Sequence, residues 1–270
     1  MTIKFGLIGG GVMGESLLSR LIAREIYHPS EVIVSEPLSA RQGFFQQQYD
    51  VTVTADNRLV FEQAKEVVFL AVKPQVFSAI AQELADIITT EHSPLVISIL
   101  AGVPLSQLEA AFVQLPVIRA MPNTPATVGA GITAISLGAY TNVKHHQIAQ
   151  QVFSAVGEVV EVSETLMDAV TGLSGSGPAY VALLVEALAD GGVASGLPRS
   201  IANQLALQTV LGTAKLLEET KIHPAELKDR VTSPGGTTIA GIAQLERAGF
   251  RSALIEAVKA ATARSQELGK

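Results

Sequence analysis

A glycine-rich stretch close to the N-terminus has the residue types and spacing of a loop that binds nucleotide phosphates. In the pattern G-x-G-x-x-G, Gly9 permits a tight turn, Gly11 lets the backbone approach a pyrophosphate, and Gly14 lets the next helix pack closely on the sheet. An apolar run precedes the loop, and leucines at helical spacing follow it. The helix would direct its first free N–H groups, in the region of Val12 and Met13, at the anion. The pattern predicts a dinucleotide site, with a tight turn that binds nothing as the alternative.

Glu36 follows the second predicted strand, about 20 residues after Gly14, where an acidic residue accepts hydrogen bonds from the adenine ribose. Its charge would repel a 2′-phosphate and therefore favours NAD over NADP, unless Ser35 and Arg41 form an anion site beside it. A solvated glutamate in a turn is the alternative.

Further candidate residues follow the other predicted strands. Asp56 and Asn57 come after the third strand, where either could instead cap the next helix. Lys73 follows the fourth strand, where a cation would meet the dinucleotide phosphates or a substrate carboxylate; a surface lysine is the alternative. Asn123 lies in a rigid, proline-rich loop that suits the wall of a cleft. The residues assigned to the cofactor beyond the glycine loop are Ser35, Glu36, Asn57, Ala71, Val72, Lys73, Pro74, Ala101, Gly102 and Asn123.

Two predicted loops later in the chain, Ser174–Pro178 and Ser233–Thr238, combine small residues with hydroxyl groups, and each opens a predicted helix. Backbone N–H groups at a helix start are unpaired and suit an anion. The hydroxyls could merely cap the helices, but neither Thr237 nor Thr238 has the Glu or Gln three residues later that completes a capping box. The segments therefore predict a site for a small carboxylate substrate, clamped against a nicotinamide.

The elements that must position these residues alternate between short apolar runs and helical patterns up to about Ser163. This alternation is typical of a parallel sheet with helices on both faces, in which ligands bind beyond the carboxyl ends of the strands. Strands are predicted at Ile3–Ile8, Val32–Val34, Val51–Thr54, Val67–Val72, Leu95–Ile99, Val117–Ala120, Gly131–Ser136 and Glu158–Val162.

After Ser163 the pattern becomes helical throughout. The predicted fold class is α/β: a Rossmann-type dinucleotide-binding domain, residues 1–163, followed by an all-α domain for substrate binding and dimerisation, residues 164–270. Helices are predicted near 15–24, 38–47, 57–64, 75–88, 105–112, 143–155, 178–195, 199–219, 224–230, 239–248 and 252–268.

The first long helix of the second domain has only two charged residues, Glu186 and Asp190, between Ala179 and Ala194. A helix that is apolar nearly all round must be buried, and in so small a domain the expected cover is another subunit. The sequence therefore predicts an obligate dimer or a larger oligomer.

Composition excludes several classes of function. The net charge is −6 and no basic block is present, so nucleic acid is not an expected partner. Cysteine is absent, which excludes disulfides and thiol chemistry and fits a reducing compartment. The five histidines form no ligand pattern and are expected on the solvated surface, so no metal is predicted. Unbroken apolar runs are too short to span a bilayer, and we expect a soluble, cytoplasmic protein.

Five segments together make the sequence resemble the pyrroline-5-carboxylate reductases: Phe69–Pro74, Met121–Pro125, Leu173–Tyr180, Ala189–Val193 and Ser233–Ile239. The resemblance spans nearly the whole chain. It implies reduction of 1-pyrroline-5-carboxylate to L-proline by a nicotinamide cofactor, the last step of proline biosynthesis. It also implies a homodimer through the helical domain, assembled further into rings, with a decamer of dimers as one larger form.

The same resemblance implies the roles of individual residues. Matching the family's loop assigns the substrate carboxylate to Ser233, Gly236 and Thr237, with Ser176 as a further substrate contact. Thr238 is assigned to the ring nitrogen and is the candidate catalytic residue; the sequence leaves open whether it donates a proton or only orients the substrate. The family's frequent use of NADPH and the presence of Glu36, which favours NADH, leave both cofactors open.

Two other classes of protein remain as alternatives. A hydroxyacid dehydrogenase of similar two-domain plan would need a lysine early in the long helix, and none occurs between Ala179 and Ala194. A sensor that binds the nucleotide without catalysis would not need the intact segment Ser233–Thr238.

Overall fold

A computed structural model describes residues 2–269. The described backbone forms two compact units: one contains the residues up to Gly175 together with those from Ala261 onward, and the other is Ser176–Ala260. The first unit extends past the predicted boundary at Ser163. The start of the substrate-binding and dimerisation domain at residue 164 stays a prediction. The outermost positions of the two predicted domains, Met1 and Lys270, lie outside the described residues.

The first unit is built on an eight-stranded sheet of order β3-β2-β1-β4-β5-β6-β7-β8. All eight strands were predicted, with ends that differ by a few residues. Their bounds are β1 Phe5–Ile8, β2 Val32–Ser35, β3 Thr52–Thr54, β4 Val67–Leu70, β5 Leu95–Ser98, β6 Val117–Met121, β7 Gly131–Leu137 and β8 Gly157–Glu161.

The sheet is parallel except between β6 and β7, which pair antiparallel. The predicted parallel sheet is confirmed for the other strand pairs, and the antiparallel direction of β7 was not predicted. A parallel neighbour needs a crossover of a dozen or more residues, whereas β6 ends at Met121 and β7 begins at Gly131. The stiff proline loop between them therefore reverses the chain.

The strands of the sheet centre alternate between two apolar cores, one on each face. In β4, Val67 and Phe69 belong to one core and Val68 and Leu70 to the other. Side chains of a strand point to opposite faces in turn, and a sheet covered on both faces accepts apolar residues at every position. Burying a side chain such as Phe69 contributes about 2–3 kcal/mol to folding.

The helices match the predicted segments, except that α7 was not predicted and that the helix predicted near 75–88 is shorter. The helices of the first unit before the final strand are α1 Val12–Ala23, α2 Ser39–Tyr49, α3 Asn57–Gln63, α4 Phe77–Leu84, α5 Leu105–Ala111 and α6 Val143–Ser154. The later helices are α7 Met167–Val170, α8 Gly177–Ala194, α9 Arg199–Thr220, α10 Pro224–Arg230, α11 Thr237–Arg247 and α12 Phe250–Leu268.

The second unit leaves much of its apolar surface uncovered. Its α8 and α9 pack through small residues, and only Ala189, Ala202 and Ala206 form a buried cluster there. On the same two helices Leu183 is 66% exposed and Leu207 is 59% exposed. These helices therefore expose surface that a single copy of the chain does not bury.

The described residues contain one helical stretch, Glu164–Ala194, that is long and apolar enough to cross a membrane by length and composition alone. The prediction concerned unbroken apolar runs, whereas this stretch passes because leucine, valine and alanine residues keep the mean hydropathy of an 18-residue window at 1.2 in spite of interspersed polar residues. Only 6% of that window is buried, so the stretch is not a core helix of a single copy of the chain.

Candidate nucleotide and substrate sites

The register of the sheet brings the predicted cofactor residues to one edge. The last residues of neighbouring strands stand level, because Ile8 pairs with both Ser35 and Leu70, and Leu70 pairs with Ser98. The loops that follow β2, β1, β4 and β5 therefore leave the sheet side by side. This is the edge at which open α/β sheets bind their ligands.

Each of the three glycines in the first loop is explained by a different feature of the local geometry. Gly9 has φ +104°, and a Cβ there would lie 2.7 Å from the carbonyl oxygen of Ala71. A Cβ at Gly14 would lie 2.5 Å from the carbonyl oxygen of Gly9, so only glycine lets α1 approach the loop this closely. At Gly11 no atom lies within 4 Å of the Cβ position. The open space at Gly11 is where a phosphate could approach the backbone.

The start of α1 fits an anion. Gly11 is the N-cap residue, without a side-chain cap, and the first N–H groups of a helix have no partner within it. In the described residues the N–H of Gly11 donates no hydrogen bond either. Free N–H groups and the helix dipole together suit a pyrophosphate. The loop thus fits a dinucleotide cofactor.

Glu36 is neither solvated nor turned outward. It is 7% exposed, and its two carboxylate oxygens accept hydrogen bonds from the N–H groups of Gly10 and Leu38, at 3.0 Å each. The predicted alternative of a solvated turn residue is therefore wrong. A contact between Glu36 and a ribose stays a prediction.

Ser35 and Asn57 contact each other. The Ser35 hydroxyl donates to Asn57 Oδ1 at 2.7 Å, and Asn57 Nδ2 donates to Glu83 at 2.8 Å. Asp56 caps α3 by accepting from the N–H groups of Arg58 and Leu59, at 2.8 and 3.3 Å. The predicted capping role thus applies to Asp56, whereas Asn57 links the end of β2 to α3.

The remaining cofactor candidates differ in their surroundings. Lys73 is exposed and forms no ion pair with any described residue. Asn123 is buried, and its Oδ1 accepts a hydrogen bond from the N–H of Ile132 at 3.0 Å, which fixes the start of β7. Gly102 has φ +75°, and its backbone lies against Leu268 near the end of α12. Cofactor contacts by Lys73, Asn123 and Gly102 stay predictions.

The predicted substrate segment Ser233–Thr238 forms a tight turn followed by α11. Gly235 has φ +68°, which favours glycine, and a Cβ at Gly236 would collide with the Ser233 hydroxyl oxygen. Gly236 is the N-cap residue of α11 and cannot supply a side-chain cap. The explanation that the hydroxyls merely cap this helix is therefore wrong.

The hydroxyls of Ser233, Thr237 and Thr238 form no hydrogen bond with any described residue. Other threonine hydroxyls in the helices are bonded: the hydroxyls of Thr213 and Thr220 each donate to the carbonyl four residues earlier, at 2.7 and 2.6 Å. Thr237 and Thr238 lie in the first helical turn, where no earlier helical carbonyl exists. Three hydroxyls and the free N–H groups of one helix start are thus available to a ligand.

The predicted loop Ser174–Pro178 is wrong. Residues Thr171–Gly175 form a turn of π-helix, and α8 begins two residues later, so the chain stays helical. The Ser174 hydroxyl donates to the carbonyl of Val170 at 3.1 Å. Ser176 occupies the N-cap position of α8 without capping it. The role assigned to Ser176, which directly follows the π-helical turn, stays a prediction.

The histidines are less solvated than predicted. His28 and His223 are exposed, but His92, His145 and His146 are half-buried. Burial, with the charge of Lys144, lowers the pKa of His145 below its usual value. No group of three or more potential metal-ligating side chains occurs among the described residues.

Sequence reasoning missed an ion pair between Arg119 and Glu164. Arg119 in β6 is 5% exposed, and its Nη1 lies 2.5 Å from Oε1 of Glu164, which also accepts from the N–H of Leu105 at 2.9 Å. Arg119 is a charged residue inside an apolar strand, and this unusual position was the available signal. The pair joins the sheet to the first residue of the helical stretch Glu164–Ala194.

Comparison with known proteins identifies the family. A model described as pyrroline-5-carboxylate reductase dimerisation matches residues 164–268, and one described as NADP oxidoreductase coenzyme F420-dependent matches residues 4–102. A pyrroline-5-carboxylate reductase of Synechocystis sp. is 60% identical over 270 residues, which are all of this chain and all of that protein. The chain belongs to the pyrroline-5-carboxylate reductase family.

Solved structures of the family have the same fold. The reductase of Coxiella burnetii aligns with a TM-score of 0.92 and 38% identity over 100% of both chains. The reductase of Plasmodium falciparum with NADP bound aligns with a TM-score of 0.88 and 29% identity over 99% of this chain and 98% of that one. The predicted family, fold class and oxidoreductase activity with a nicotinamide cofactor are confirmed, and the main prediction is supported over the hydroxyacid dehydrogenase and the sensor. The dimerisation match also supports association of like chains.

Proposed function

We propose that this chain reduces 1-pyrroline-5-carboxylate to L-proline with the segment Ser233–Thr238 as its substrate site. The observation that carries the assignment is the set of uncommitted hydroxyls and free N–H groups at the start of α11. Ser233, Gly236 and Thr237 hold the carboxylate, because a helix N-terminus with neighbouring hydroxyls suits an anion. Ser176 is a further contact to the substrate.

The reaction demands alignment more than a strong base. The bound nicotinamide supplies a hydride to the imine carbon. A protonated cyclic imine is already electrophilic, so the protein must mainly orient the ring and hold its carboxylate. The Thr238 hydroxyl hydrogen-bonds the ring nitrogen, since a hydroxyl can donate to an imine nitrogen and accept from an iminium N–H. Amides and hydroxyls are therefore sufficient for this site.

We further propose that the chain uses NADPH as well as NADH. The charge of Glu36 is turned toward Gly10 and Leu38, so it does not offer a free carboxylate to the ribose. The relative from Plasmodium falciparum was solved with NADP bound. The N–H groups of Ser39 and Ala40, at the start of α2, donate to no described residue and are open to a 2′-phosphate.

A spectrophotometric assay tests the reaction and the cofactor together. Oxidation of NADPH that depends on added 1-pyrroline-5-carboxylate is expected, with kcat/KM at least equal to that for NADH. A preference of more than tenfold for NADH would contradict the cofactor proposal, and no oxidation of either nucleotide would contradict the proposed function.

The oligomer is proposed to form through α8 and α9. Their exposed leucines need cover, and burying one such side chain contributes about 1.5–3 kcal/mol. The charges of Glu186 and Asp190 on α8 make a second copy of the chain a better cover than a bilayer. A decamer of dimers is the larger form that we propose, and the absence of cysteine fits action in the cytoplasm.

Light scattering of the purified chain at micromolar concentration, without detergent, is expected to give the mass of a dimer or a multiple of it. Replacing Leu183 by glutamate should shift the mass toward that of one chain, because the charge would be buried at the contact. Val113, which is 59% exposed in the first unit, provides the matched control: Val113→Glu should leave the mass unchanged. A monomeric wild-type chain would refute this interface.

A further inference from the structure

Both peptide groups of Gly10 are held by side chains from the region that follows β2. Its N–H donates to Oε2 of Glu36 at 3.0 Å, and its carbonyl oxygen accepts from Nη2 of Arg41 at 2.7 Å. A Cβ at Gly10 would lie 2.5 Å from the ring of Phe45 and 2.8 Å from Glu36, so the residue is enclosed on this side. The middle of the glycine loop is therefore fixed by residues that follow β2 and not only by its own turn.

Holding the Gly10 carbonyl also sets the direction of the next N–H. The peptide between Gly10 and Gly11 is planar and trans, so its C=O and N–H point in opposite directions. Arg41 binds the carbonyl, and the N–H of Gly11 consequently points away from Arg41. A phosphate on that side meets an N–H donor and not a carbonyl oxygen that would repel it.

Arg41 is itself fixed by its neighbours. Its Nη2 lies 2.6 Å from Oε2 of Glu15, and its guanidinium carbon lies 4.8 Å from the ring centre of Phe44 and 5.0 Å from that of Phe45. Tyr49 donates to the other oxygen of Glu15 at 3.2 Å. Burial, and then the charge of Glu15, raise the pKa of the Tyr49 phenol, which therefore stays a donor. The guanidinium is thus held through Nη2 and by contact with two aromatic rings.

We propose that Glu36 and Arg41 are positioning residues that hold the Gly10 peptide groups and so preorganise the pyrophosphate loop for both NADH and NADPH. Glu36, although it stands at the position that often reads the ribose, does not set the choice between the two cofactors. The inference rests on the proposed function in one respect: the loop must bind the pyrophosphate of a nicotinamide dinucleotide.

The test measures Kd for NADH and NADPH, and kcat at saturating NADPH, for Arg41→Ala, Arg41→Lys and Glu36→Gln. Losing one charge-assisted hydrogen bond that holds the loop is expected to raise both Kd values about tenfold in Arg41→Ala. The ratio of the two Kd values should stay within threefold of that of the wild type, and kcat should stay within twofold. Arg41→Lys should recover part of the affinity for both nucleotides, and Glu36→Gln should weaken both without changing their ratio by more than threefold.

Arg24→Ala is the matched control, because Arg24 lies at the other end of α1 and its Nη1 donates only to the carbonyl of Ser154, at 3.4 Å. It should leave both Kd values unchanged. A tenfold greater loss for NADPH than for NADH in Arg41→Ala would make Arg41 a ligand of the 2′-phosphate and overturn the proposal. A tenfold gain in the preference for NADPH in Glu36→Gln would also overturn the proposal. Kd values that stay unchanged in both Arg41→Ala and Glu36→Gln would overturn it as well. A wild type that binds both nucleotides without oxidising them contradicts the proposed function alone.

Discussion

Replacing Thr238 by alanine is expected to lower kcat/KM for 1-pyrroline-5-carboxylate by about tenfold to several-hundredfold, since one charge-assisted hydrogen bond is worth roughly 1.5–3 kcal/mol. The hydroxyl is half-buried in the first turn of α11 and has no described partner, so its removal costs little stability. The loss should appear in kcat as well as KM, because hydride transfer creates a lone pair on the ring nitrogen, and this lone pair accepts a hydrogen bond from the hydroxyl more strongly than the substrate nitrogen does.

Thr238→Ser is the matched control, as it keeps the hydroxyl and removes only a methyl group; it should retain most of the activity. Thr237→Ala should raise KM more than it lowers kcat, because Thr237 is assigned to the carboxylate, which does not change charge during the reaction. Steady-state kinetics at varied imine concentration separate these outcomes. Wild-type kinetics for Thr238→Ala would refute its assignment to the ring nitrogen.

The sequence predicted most of the fold because its signals are local. The apolar runs and helical spacing located all eight strands and the long helices. The direction of β7 was missed, since strand direction depends on the length of a connection and on the pairing partner, and neither is visible in the periodicity of the strand itself. The π-helical turn at Thr171–Gly175 was missed because its two glycines and one serine resemble a loop in composition.

The site was predicted less evenly. The glycines of the first loop could be interpreted individually, because each glycine serves a backbone geometry that recurs in dinucleotide-binding folds. The sequence placed Glu36 at the correct edge of the sheet. It could not predict the direction of the Glu36 carboxylate, because this direction depends on the N–H groups of Gly10 and Leu38. The partner of Arg119 lies 45 residues away in sequence, and no local pattern links the two.

Replacing Glu164 by alanine is expected to lower the free energy of unfolding by about 3 kcal/mol, toward the lower end of the range for breaking a buried ion pair, because Glu164 is itself partly exposed. The Arg119 side chain is only 6% exposed and that of Glu164 31%, so the variant would leave a guanidinium that cannot reach water easily. The N–H of Leu105 would lose its acceptor as well. Urea unfolding followed by circular dichroism measures the change in the free energy of unfolding.

Two comparisons separate the buried charge from a general loss of contacts. Glu256→Ala removes an ion pair with Lys259 whose side chains are 65% and 68% exposed, and it should change stability by less than about 0.5 kcal/mol. The double variant Arg119→Met with Glu164→Leu removes both charges and fills similar volumes, so it should recover most of the loss, as replacing a buried ion pair by apolar residues is often neutral. If the double variant were no more stable than Glu164→Ala, the cost would lie in packing at the start of the helical stretch and not in the unpaired charge of Arg119.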